Sequence, residues 1–209
     1  MNIHSLYRPF LRHFRTRRMQ QFCRIFELTG ETRVLDVGGT LFNWTLLSFQ
    51  PRVTIVNISL PSVPGDIEKA SWIIADGRYL PFRNGAFEIV YSNSVIEHLG
   101  DLENQREFAN EIRRISKRYY VQTPNRWFPV EPHLITPFIH YFSRSVQRRF
   151  LRNFTIWGLV TRPTDQQCDK FLQEVRLLNE SELRELFPDA EIWHERVLGL
   201  TKSLIAVKT

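Results

Sequence analysis

The chain has 209 residues, of which 43% are hydrophobic and 24% charged. This length and composition predict a single folded domain that is large enough to bury a hydrophobic core. No apolar run approaches the roughly 18 to 20 residues of a membrane-spanning helix, and Met1 to Ser5 lack the features of a secretory signal. Cys23 and Cys168 lie far apart without metal-ligand spacing, which favours reduced thiols over a disulfide. A cytoplasmic protein is therefore expected.

The net charge of +6 is unevenly distributed along the chain. Residues 1–33 and 126–162 together hold thirteen arginines against three glutamates, a net charge of +10, so the remainder is net acidic. This asymmetry favours an anionic partner, which the charge alone leaves open as a membrane surface, an acidic or phosphorylated substrate, or nucleic acid.

Apolar residues recur at helical spacing through the first 26 residues, with arginines between them. They predict one or two basic amphipathic helices over residues 1–30, with apolar positions at Leu6, Tyr7, Phe10, Leu11 and Phe14. Such a segment either packs over the sheet, rests on anionic lipid, or closes over a bound ligand.

A short apolar strand, Val34 to Val37, runs directly into the glycine pair Gly38-Gly39. This is typical of the first strand of a doubly wound α/β sheet, where glycines at the carboxyl end let the backbone approach a ligand. Asp36 would place a carboxylate at the mouth of that crevice. The alternative is that Asp36 only caps the next helix.

Strand and helix patterns then alternate along the chain. Strands are predicted at residues 53–57, 71–75, 87–93 and 119–123, and helices at 42–49, after Asp101, and at 181–187. This alternation predicts a parallel sheet with crossover helices. Two closing strands, 191–197 and 201–207, are near enough in sequence to form an antiparallel pair at the sheet's edge.

Residues 125–160 interrupt this rhythm. The segment is rich in proline, aromatic residues and arginine, and its first part, 125–133, suits neither helix nor strand. We interpret it as a lid over an apolar or anionic acceptor or a contact with a membrane, the alternative being an ordinary packing helix. The predicted single domain thus comprises basic helices (1–30), a core (31–124), a lid insertion (125–178) and a closing helix with a strand pair (179–209).

Three stretches of the chain, residues 34–40, 75–82 and 87–99, have the order and spacing of a known pattern. Together they resemble the class I S-adenosylmethionine-dependent methyltransferases, in the branch that acts on small molecules and lipids. The resemblance covers roughly residues 30–125. It implies a Rossmann-like, doubly wound, mostly parallel seven-stranded sheet with one antiparallel edge strand and a helical lid insertion. It also implies S-adenosyl-L-methionine as cofactor and a small-molecule, lipid-like or glycan acceptor.

The resemblance assigns cofactor contacts to eight residues at the strand ends: Asp36, Gly38, Gly39, Asn57, Asp76, Gly77, Ser92 and Asn93. The two first glycines would pass beside the methionine part of the cofactor, on a loop that Asp36 orders. Asn57 would face the ribose, Asp76 would accept from the adenine amino group beside the Gly77 amide, and Ser92 with Asn93 would line the methionyl end.

Two features depart from the family pattern. The glycine loop reads Gly-Gly-Thr-Leu-Phe instead of Gly-x-Gly-x-Gly, and Asn57 stands where an acid usually meets the ribose. Both count against a nicotinamide dehydrogenase. They also leave open a catalytically silent, cofactor-binding regulatory or scaffold protein as the alternative to an enzyme.

Glu97 and His98, one turn beyond the fourth strand, are the first catalytic candidates. This region resembles ubiquinone-pathway O-methyltransferases, which carry an extra acid three residues before the Glu-His pair. Here that place is Ser94, so no metal site is predicted. His98 capping a helix is the alternative.

The second catalytic candidates, Glu131 and His133, follow the fifth strand, where class I enzymes often build acceptor pockets. His133 could act as a base near neutral pH with Glu131 orienting it, and Arg126 and Trp127 would contact the substrate. A structural loop held by an Arg126–Glu131 pair is the alternative.

Methylation of nucleic acid is the least favoured function. Ser-Asn-Ser-Val ends the fourth strand, where base amino-methyltransferases carry an Asn/Asp-Pro-Pro-aromatic signature that holds a flipped base. The predicted partner is a small-molecule or lipid-like acceptor, with peripheral membrane contact through the basic segments left open.

Overall fold

The structure, a computed structural model, describes residues 8–61 and 70–209, with the side chains of residues 8–11 and 13 left out. Leu6 and Tyr7 of the predicted N-terminal helices lie outside this description. None of the described helices is long and apolar enough to span a membrane. Cys23 and Cys168 are free thiols.

Seven strands form the central sheet in the order β3-β2-β1-β4-β5-β9-β8. They are β1 (Arg33–Val37), β2 (Arg52–Asn57), β3 (Ser71–Ile74), β4 (Ile89–Asn93), β5 (Tyr119–Pro124), β8 (Glu191–Val197) and β9 (Leu200–Lys208). The five strands from β3 to β5 are parallel, and β9 pairs antiparallel with both β5 and β8. The Rossmann-like, mostly parallel seven-stranded sheet with an antiparallel strand at its edge is confirmed; within the edge pair, β9 is the antiparallel member.

Seven helices accompany the sheet in the described residues. They are α1 (Arg8–Phe26), α2 (Leu41–Trp44), α3 (Leu102–Ile115), α4 (Arg144–Phe154), α5 (Ile156–Thr161), α6 (Asp165–Glu174) and α7 (Glu180–Leu186). Asp101 caps α3 by accepting a hydrogen bond from the Asn104 amide at 2.8 Å. The helix predicted at 42–49 is shorter than expected and ends at Trp44, and α7 ends just before Pro188, as predicted.

Both faces of the sheet are buried, which explains why its strands read as nearly continuous apolar runs. Met19 and Phe22 of α1 pack on one face against Tyr91 and Tyr120. On the other face the apolar side of α3, led by Phe108, packs with α7 against alternate strand residues. The amphipathic N-terminal helix is thus a packing helix over most of its described length.

The insertion has a small core of its own. Leu134, Leu151 and Leu172 are among the residues that pack it together. Residues 125–133 were expected to lack regular structure, but β6 (Val130–Glu131) pairs with β7 (Thr136–Pro137) in a two-residue antiparallel ladder. The expectation was wrong there because β6 is only two residues long and fits between Pro129 and Pro132, so that neither proline takes part in the ladder.

A buried guanidinium connects α1 to the sheet. Arg18, only 6% exposed, donates two hydrogen bonds of 2.8 Å to the carboxylate of Glu195 on β8. It also donates to Asn93 Oδ1 at 2.6 Å and to Gln122 Oε1 at 3.1 Å. Arg18 therefore connects α1 with β4, β5 and β8. An arginine can do this because its planar guanidinium group carries five N–H donors.

We expect Arg18→Met to lower the free energy of unfolding by about 3–5 kcal/mol, because it leaves the Glu195 carboxylate buried without its partner. Urea unfolding followed by circular dichroism measures this. The double variant Arg18→Met/Glu195→Gln should recover part of the loss. The control is Arg184→Met, which breaks an exposed ion pair with Glu180 and should cost far less. Equal losses in the two single variants would contradict the assignment.

Candidate active site

A cleft of about 580 Å³ opens at the carboxyl ends of the parallel strands. We call it the strand-end cleft. Of the predicted cofactor residues, the structure brings four into its wall: Gly38, Asn57, Asp76 and Gly77. His98 also lines it, together with Ser94 and residues of α3 and α6. Its position follows from the strand order. The chain proceeds from β1 toward one edge of the sheet and from β4 toward the other, so a crevice opens between these two adjacent strands at their carboxyl ends.

The turn after β1 needs both of its glycines. Gly38 has φ +74°, and its amide donates to the Val56 carbonyl at 2.7 Å, so the chain turns immediately at the end of the strand. A Cβ on Gly39 would stand 1.9 Å from the Asp36 carboxylate. This carboxylate therefore lies directly beneath the loop and supports it from below.

Asp36 is fully buried and does not reach the cleft. Its Oδ2 accepts a hydrogen bond from Trp44 Nε1 at 2.8 Å, and Oδ1 has no partner among the described residues. Burial raises the pKa of Asp36 to about 7, although the Trp44 hydrogen bond and the charge of Arg15 oppose this. Asp36 packs against the loop and does not cap the next helix, whose N-cap is Thr40; its ordering of the loop for a ligand stays a prediction.

Asn57 holds the loop from the side. Its Nδ2 donates to the Gly39 carbonyl at 3.0 Å, and its Oδ1 accepts from the Ile58 amide at 2.8 Å. A carboxylate at this position could not donate to Gly39. The replacement of the usual acid by an amide thus matches the short glycine loop next to it.

Asp76 and Gly77 stand at the end of β3. The Asp76 carboxylate accepts from the backbone amide and the guanidinium of Arg78, with an Nη2–Oδ2 distance of 2.6 Å. These contacts lower the pKa of Asp76, the hydrogen bond of the Arg78 side chain most of all. Gly77 leaves no room for a side chain, because a Cβ would stand 2.8 Å from Phe108.

At the end of β4 the structure places Ser92 and Asn93 differently from expectation. Ser92 is fully buried and donates to the Val37 carbonyl at 3.0 Å, and Asn93 bonds to Arg18. The next residue, Ser94, lines the cleft instead. It has φ +56°, and its hydroxyl donates to Gln122 Oε1 at 2.9 Å. From sequence, Ser94 was considered only as the place of a missing acid.

A second cavity of about 260 Å³, the covered pocket, shares Ser94 with the strand-end cleft. Its wall is mostly apolar and includes Phe14 of α1 and Phe128 of the insertion. Arg15, Arg18 and Lys202 add three cationic groups. This pocket was not predicted from the sequence, because its walls come from four separate regions of the chain.

Four predicted catalytic residues come together beside the cleft, and we call them the imidazole–carboxylate cluster: Glu97, His98, Glu131 and His133. His133 Nδ1 lies 2.7 Å from Glu131 Oε1, and the His98 and His133 rings are 4.7 Å apart at 82°. Glu97 is fully buried, accepts from Thr123 Oγ1 at 3.1 Å, and leaves Oε1 without a partner among the described residues.

The pKa values of Glu97 and His133 are shifted for different reasons. Burial raises the pKa of Glu97 to about 7, against the opposing charge of His133. Burial lowers the pKa of His133, but the hydrogen bond and charge of Glu131 more than offset it, so this pKa is raised overall. The Glu131–His133 pair forms as predicted, and it replaces the alternative Arg126–Glu131 pair.

Arg126 and Trp127 lie elsewhere. Both are exposed, the Arg126 guanidinium stacks over the Trp127 ring, and neither reaches the covered pocket. Arg126 instead lines a third, polar cavity of about 320 Å³ with Glu131 and His140.

Comparison with known proteins supports the interpretation of this geometry. Residues 35–119, which contain the strand-end loops of β1 to β4, match the methyltransferase domain family. The match covers less than half of the chain. The predicted resemblance to class I S-adenosylmethionine-dependent methyltransferases is confirmed, and so, at the level of the domain family, is the predicted cofactor. No curated protein matches the chain in sequence.

Solved structures of other proteins share the fold of this chain at low sequence identity. Magnesium protoporphyrin IX methyltransferase of Synechocystis PCC 6803, with bound S-adenosylhomocysteine, is 14% identical with TM-score 0.61, covering 100% of this chain and 89% of its own. The PH0226 protein of Pyrococcus horikoshii OT3 is 15% identical, with TM-score 0.55 and coverages of 94% and 92%. Phosphoethanolamine N-methyltransferase 2 of Haemonchus contortus, with S-adenosyl-L-methionine, is 15% identical, with TM-score 0.56 and coverages of 85% and 38%.

The raised pKa of Asp36 predicts a pH-dependent stability. The folded chain keeps this proton up to about pH 7, whereas the unfolded chain releases it near the ordinary value of 3.8, so stability falls as the pH rises between these values. Asp36→Asn should remove this slope, about 1.4 kcal/mol per pH unit, and should gain stability relative to the parent at pH 8.

Urea unfolding of the parent and of Asp36→Asn between pH 4.5 and 8 measures this. The difference between their free energies of unfolding at each pH removes the contribution of the other titrating groups. The groups that face Asp36 are Trp44 on α2, Arg15 on α1 and Tyr91 on β4. The control is Asp101→Asn at an exposed helix cap, where asparagine caps equally well. An equal change of slope in both variants would attribute the effect to net charge instead.

Proposed function

We propose that this protein transfers a methyl group from S-adenosylmethionine to a small-molecule acceptor with an apolar body and an anionic group. The observation that carries the proposal is the junction at Ser94, where the strand-end cleft meets the covered pocket. A cofactor in the cleft and an acceptor in the pocket would meet there, which is the arrangement that a direct transfer requires.

The cleft suits the cofactor in size and in its polar groups. Its volume lies within the roughly 300–1,000 Å³ of small-molecule sites. Gly38 lets the backbone pass beside the methionine part, while Asn57 and Asp76 offer oxygen acceptors toward the ribose and the adenine. Asn57 Oδ1 keeps a lone pair beyond the one used by the Ile58 amide, whereas both Asp76 oxygens accept from Arg78, so an adenine amino group would share or replace one of these contacts.

Methyl transfer asks the protein chiefly for alignment and for exclusion of water, because the sulfonium is already a good leaving group. Helix α1 and the insertion cover the pocket from two sides, through Phe14, Phe128 and Pro132 among others. The acceptor atom gains the methyl group, the sulfur keeps the bonding electron pair, and the acceptor loses a proton where it carries one. His98 of the imidazole–carboxylate cluster lines the cleft and can assist this loss.

The covered pocket indicates the class of acceptor. Arg15, Arg18 and Lys202 place three cationic side chains in its wall, and the Glu195 carboxylate accepts hydrogen bonds from both Arg18 and Lys202. Lys202 lies 3.9 Å from the Phe14 ring centroid, at the edge of the apolar wall. A carboxylate or phosphate on a hydrophobic body matches this combination.

Calorimetry with S-adenosylmethionine, followed by transfer of a labelled methyl group to a panel of apolar carboxylic and phosphate compounds, tests the function. Gly38→Ala should weaken cofactor binding about tenfold or more, because its Cβ would stand 2.6 Å from Val95 at the cleft. Gly85→Ala is the matched control, with φ +65° and open space around the new methyl group, and should bind like the parent.

Two outcomes contradict parts of the proposal separately. Failure of the parent to bind the cofactor contradicts the cofactor site. Tight binding without transfer to any acceptor contradicts the enzyme and favours the catalytically silent binding protein.

A membrane surface is a second candidate partner, favoured by exposed side chains of the insertion. Large apolar residues are exposed between residues 127 and 159: Trp127, Phe138, Tyr141, Phe142, Phe150, Phe154, Ile156 and Leu159. Arginines at 144, 149 and 152 lie among them. We propose that this arginine–aromatic surface, as we name these residues, rests on anionic lipid, where both its charge and its aromatic rings are favourable.

Sedimentation with vesicles tests this contact. The parent should bind phosphatidylglycerol-containing vesicles and should not bind pure phosphatidylcholine at the same lipid concentration. Phe154→Ser, at a residue 68% exposed, should reduce binding several-fold. Leu198→Ser is the control, because Leu198 is 98% exposed in the β8–β9 turn, outside the surface. Equal effects of the two substitutions would contradict the proposed contact.

A further inference from the structure

One group of side chains has the composition of a metal site. Ligand atoms of Glu97, His98 and His133 all lie within 4.8 Å of one another, one carboxylate oxygen and two imidazole nitrogens. Around a tetrahedral cation with bonds of about 2.1 Å, neighbouring ligands stand roughly 3.4 Å apart. Small side-chain rotations therefore suffice to bring the three donors onto one ion.

The state of Glu97 points independently to a ligand. Its side chain is fully buried, Oε2 accepts from Thr123, and Oε1 has no hydrogen-bond partner in the described part of the chain. A buried carboxylate oxygen without a partner is costly, and a cation is one of the groups that satisfy it. The two histidines lie on the side of the cluster that solvent reaches: His98 is exposed, and the His133 side chain is 19% exposed.

The second coordination sphere is also present. His133 Nδ1 is engaged by Glu131 Oε1 at 2.7 Å, and Glu131 Oε2 accepts from the Leu134 amide. A histidine that binds a metal through one ring nitrogen commonly donates a hydrogen bond from the other nitrogen to a carboxylate. This hydrogen bond fixes the tautomer and the orientation of the ring. Because Nδ1 is held by Glu131, Nε2 is the His133 nitrogen left to bind an ion.

We propose that Glu97, His98 and His133 form a binding site for a divalent transition-metal cation of the zinc type, with Glu131 positioning His133. Two imidazoles and one carboxylate favour such ions over Mg²⁺ and Ca²⁺, which prefer oxygen ligands. Three protein ligands leave a coordination position open. Ser94 is not needed as a ligand, because the third donor comes from the insertion, about 35 residues away along the chain.

The site borders the place where an acceptor would react. His98 lines the strand-end cleft, and Pro132 and Ile135, which flank His133 in sequence, line the covered pocket. A bound cation would polarise an acceptor oxygen and make its proton easier to remove. This role rests on the proposed methyl transfer, whereas the binding itself does not.

Titration of chelator-treated, untagged protein with Zn²⁺ by calorimetry, and with Co²⁺ by visible absorption, tests the site without cofactor or acceptor. The parent should bind one Zn²⁺ per chain, much more tightly than Mg²⁺, and Co²⁺ should give the absorption of a site with nitrogen ligands. Glu97→Gln and His133→Asn should abolish binding. Glu131→Gln, which keeps all three ligands, should weaken it about 10- to 100-fold.

His194→Asn is the matched control, since His194 lies on β8 beside Glu180 and should not affect binding. Circular dichroism of each variant shows whether it folds, and Glu131→Gln keeps the test decisive if a ligand variant does not. Absence of Zn²⁺ and Co²⁺ binding by the parent would overturn the proposal. So would binding that survives both Glu97→Gln and His133→Asn, because the ion would then be held elsewhere. Neither result bears on cofactor binding, so this inference and the proposed function can fail separately.

Discussion

The packing of the Gly38–Gly39 turn onto the Asp36 carboxylate is the constraint on which the site depends. A Cβ on Gly39 would overlap this carboxylate, and a Cβ on Gly38 would overlap Val95. The turn therefore admits only glycine at both positions, and it brings bare backbone to the edge of the cleft. Burying the Asp36 carboxyl group beneath this turn costs stability. Such local costs are expected at sites where a loop must keep one conformation for a ligand.

This constraint changes the meaning of Asn57. Viewed as a ribose ligand alone, an amide in place of an acid is a weakening. In the folded chain it joins the loops after β1 and β2, because Nδ2 donates to the Gly39 carbonyl. A carboxylate there would face that carbonyl oxygen with no proton to offer. The altered glycine loop and the missing acid are thus one coupled feature, and neither by itself indicates lost activity.

The sequence predicted the central strands well because β1, β4 and β5 are buried on both faces, so that each carries an apolar signal of its own, whereas the edge strands β3 and β8 have no buried residue. The ends of β2 at Asn57 and β4 at Asn93, and the Asp101 cap, were all found from local patterns. Contacts between distant segments were not. Arg18 meets Glu195 across 177 positions, and no local signal in either stretch announces the pair. The covered pocket was missed for the same reason. Ser94 was missed because its positive φ follows from tertiary packing and not from its residue type.

Two buried carboxylates near the cleft, Asp36 and Glu97, each have one oxygen without a hydrogen-bond partner among the residues that the structure describes, and their surroundings differ. Asp36 is sealed beneath the Gly39 backbone and capped by Trp44, so no ligand can reach it without opening the loop. Glu97 lies beside two imidazoles, one of them exposed and the other oriented by a further carboxylate. A buried oxygen that has no hydrogen-bond partner and that no ligand can reach only lowers the stability of the fold. The same oxygen beside accessible nitrogen donors is a coordination position, because an ion can enter and satisfy all three groups together.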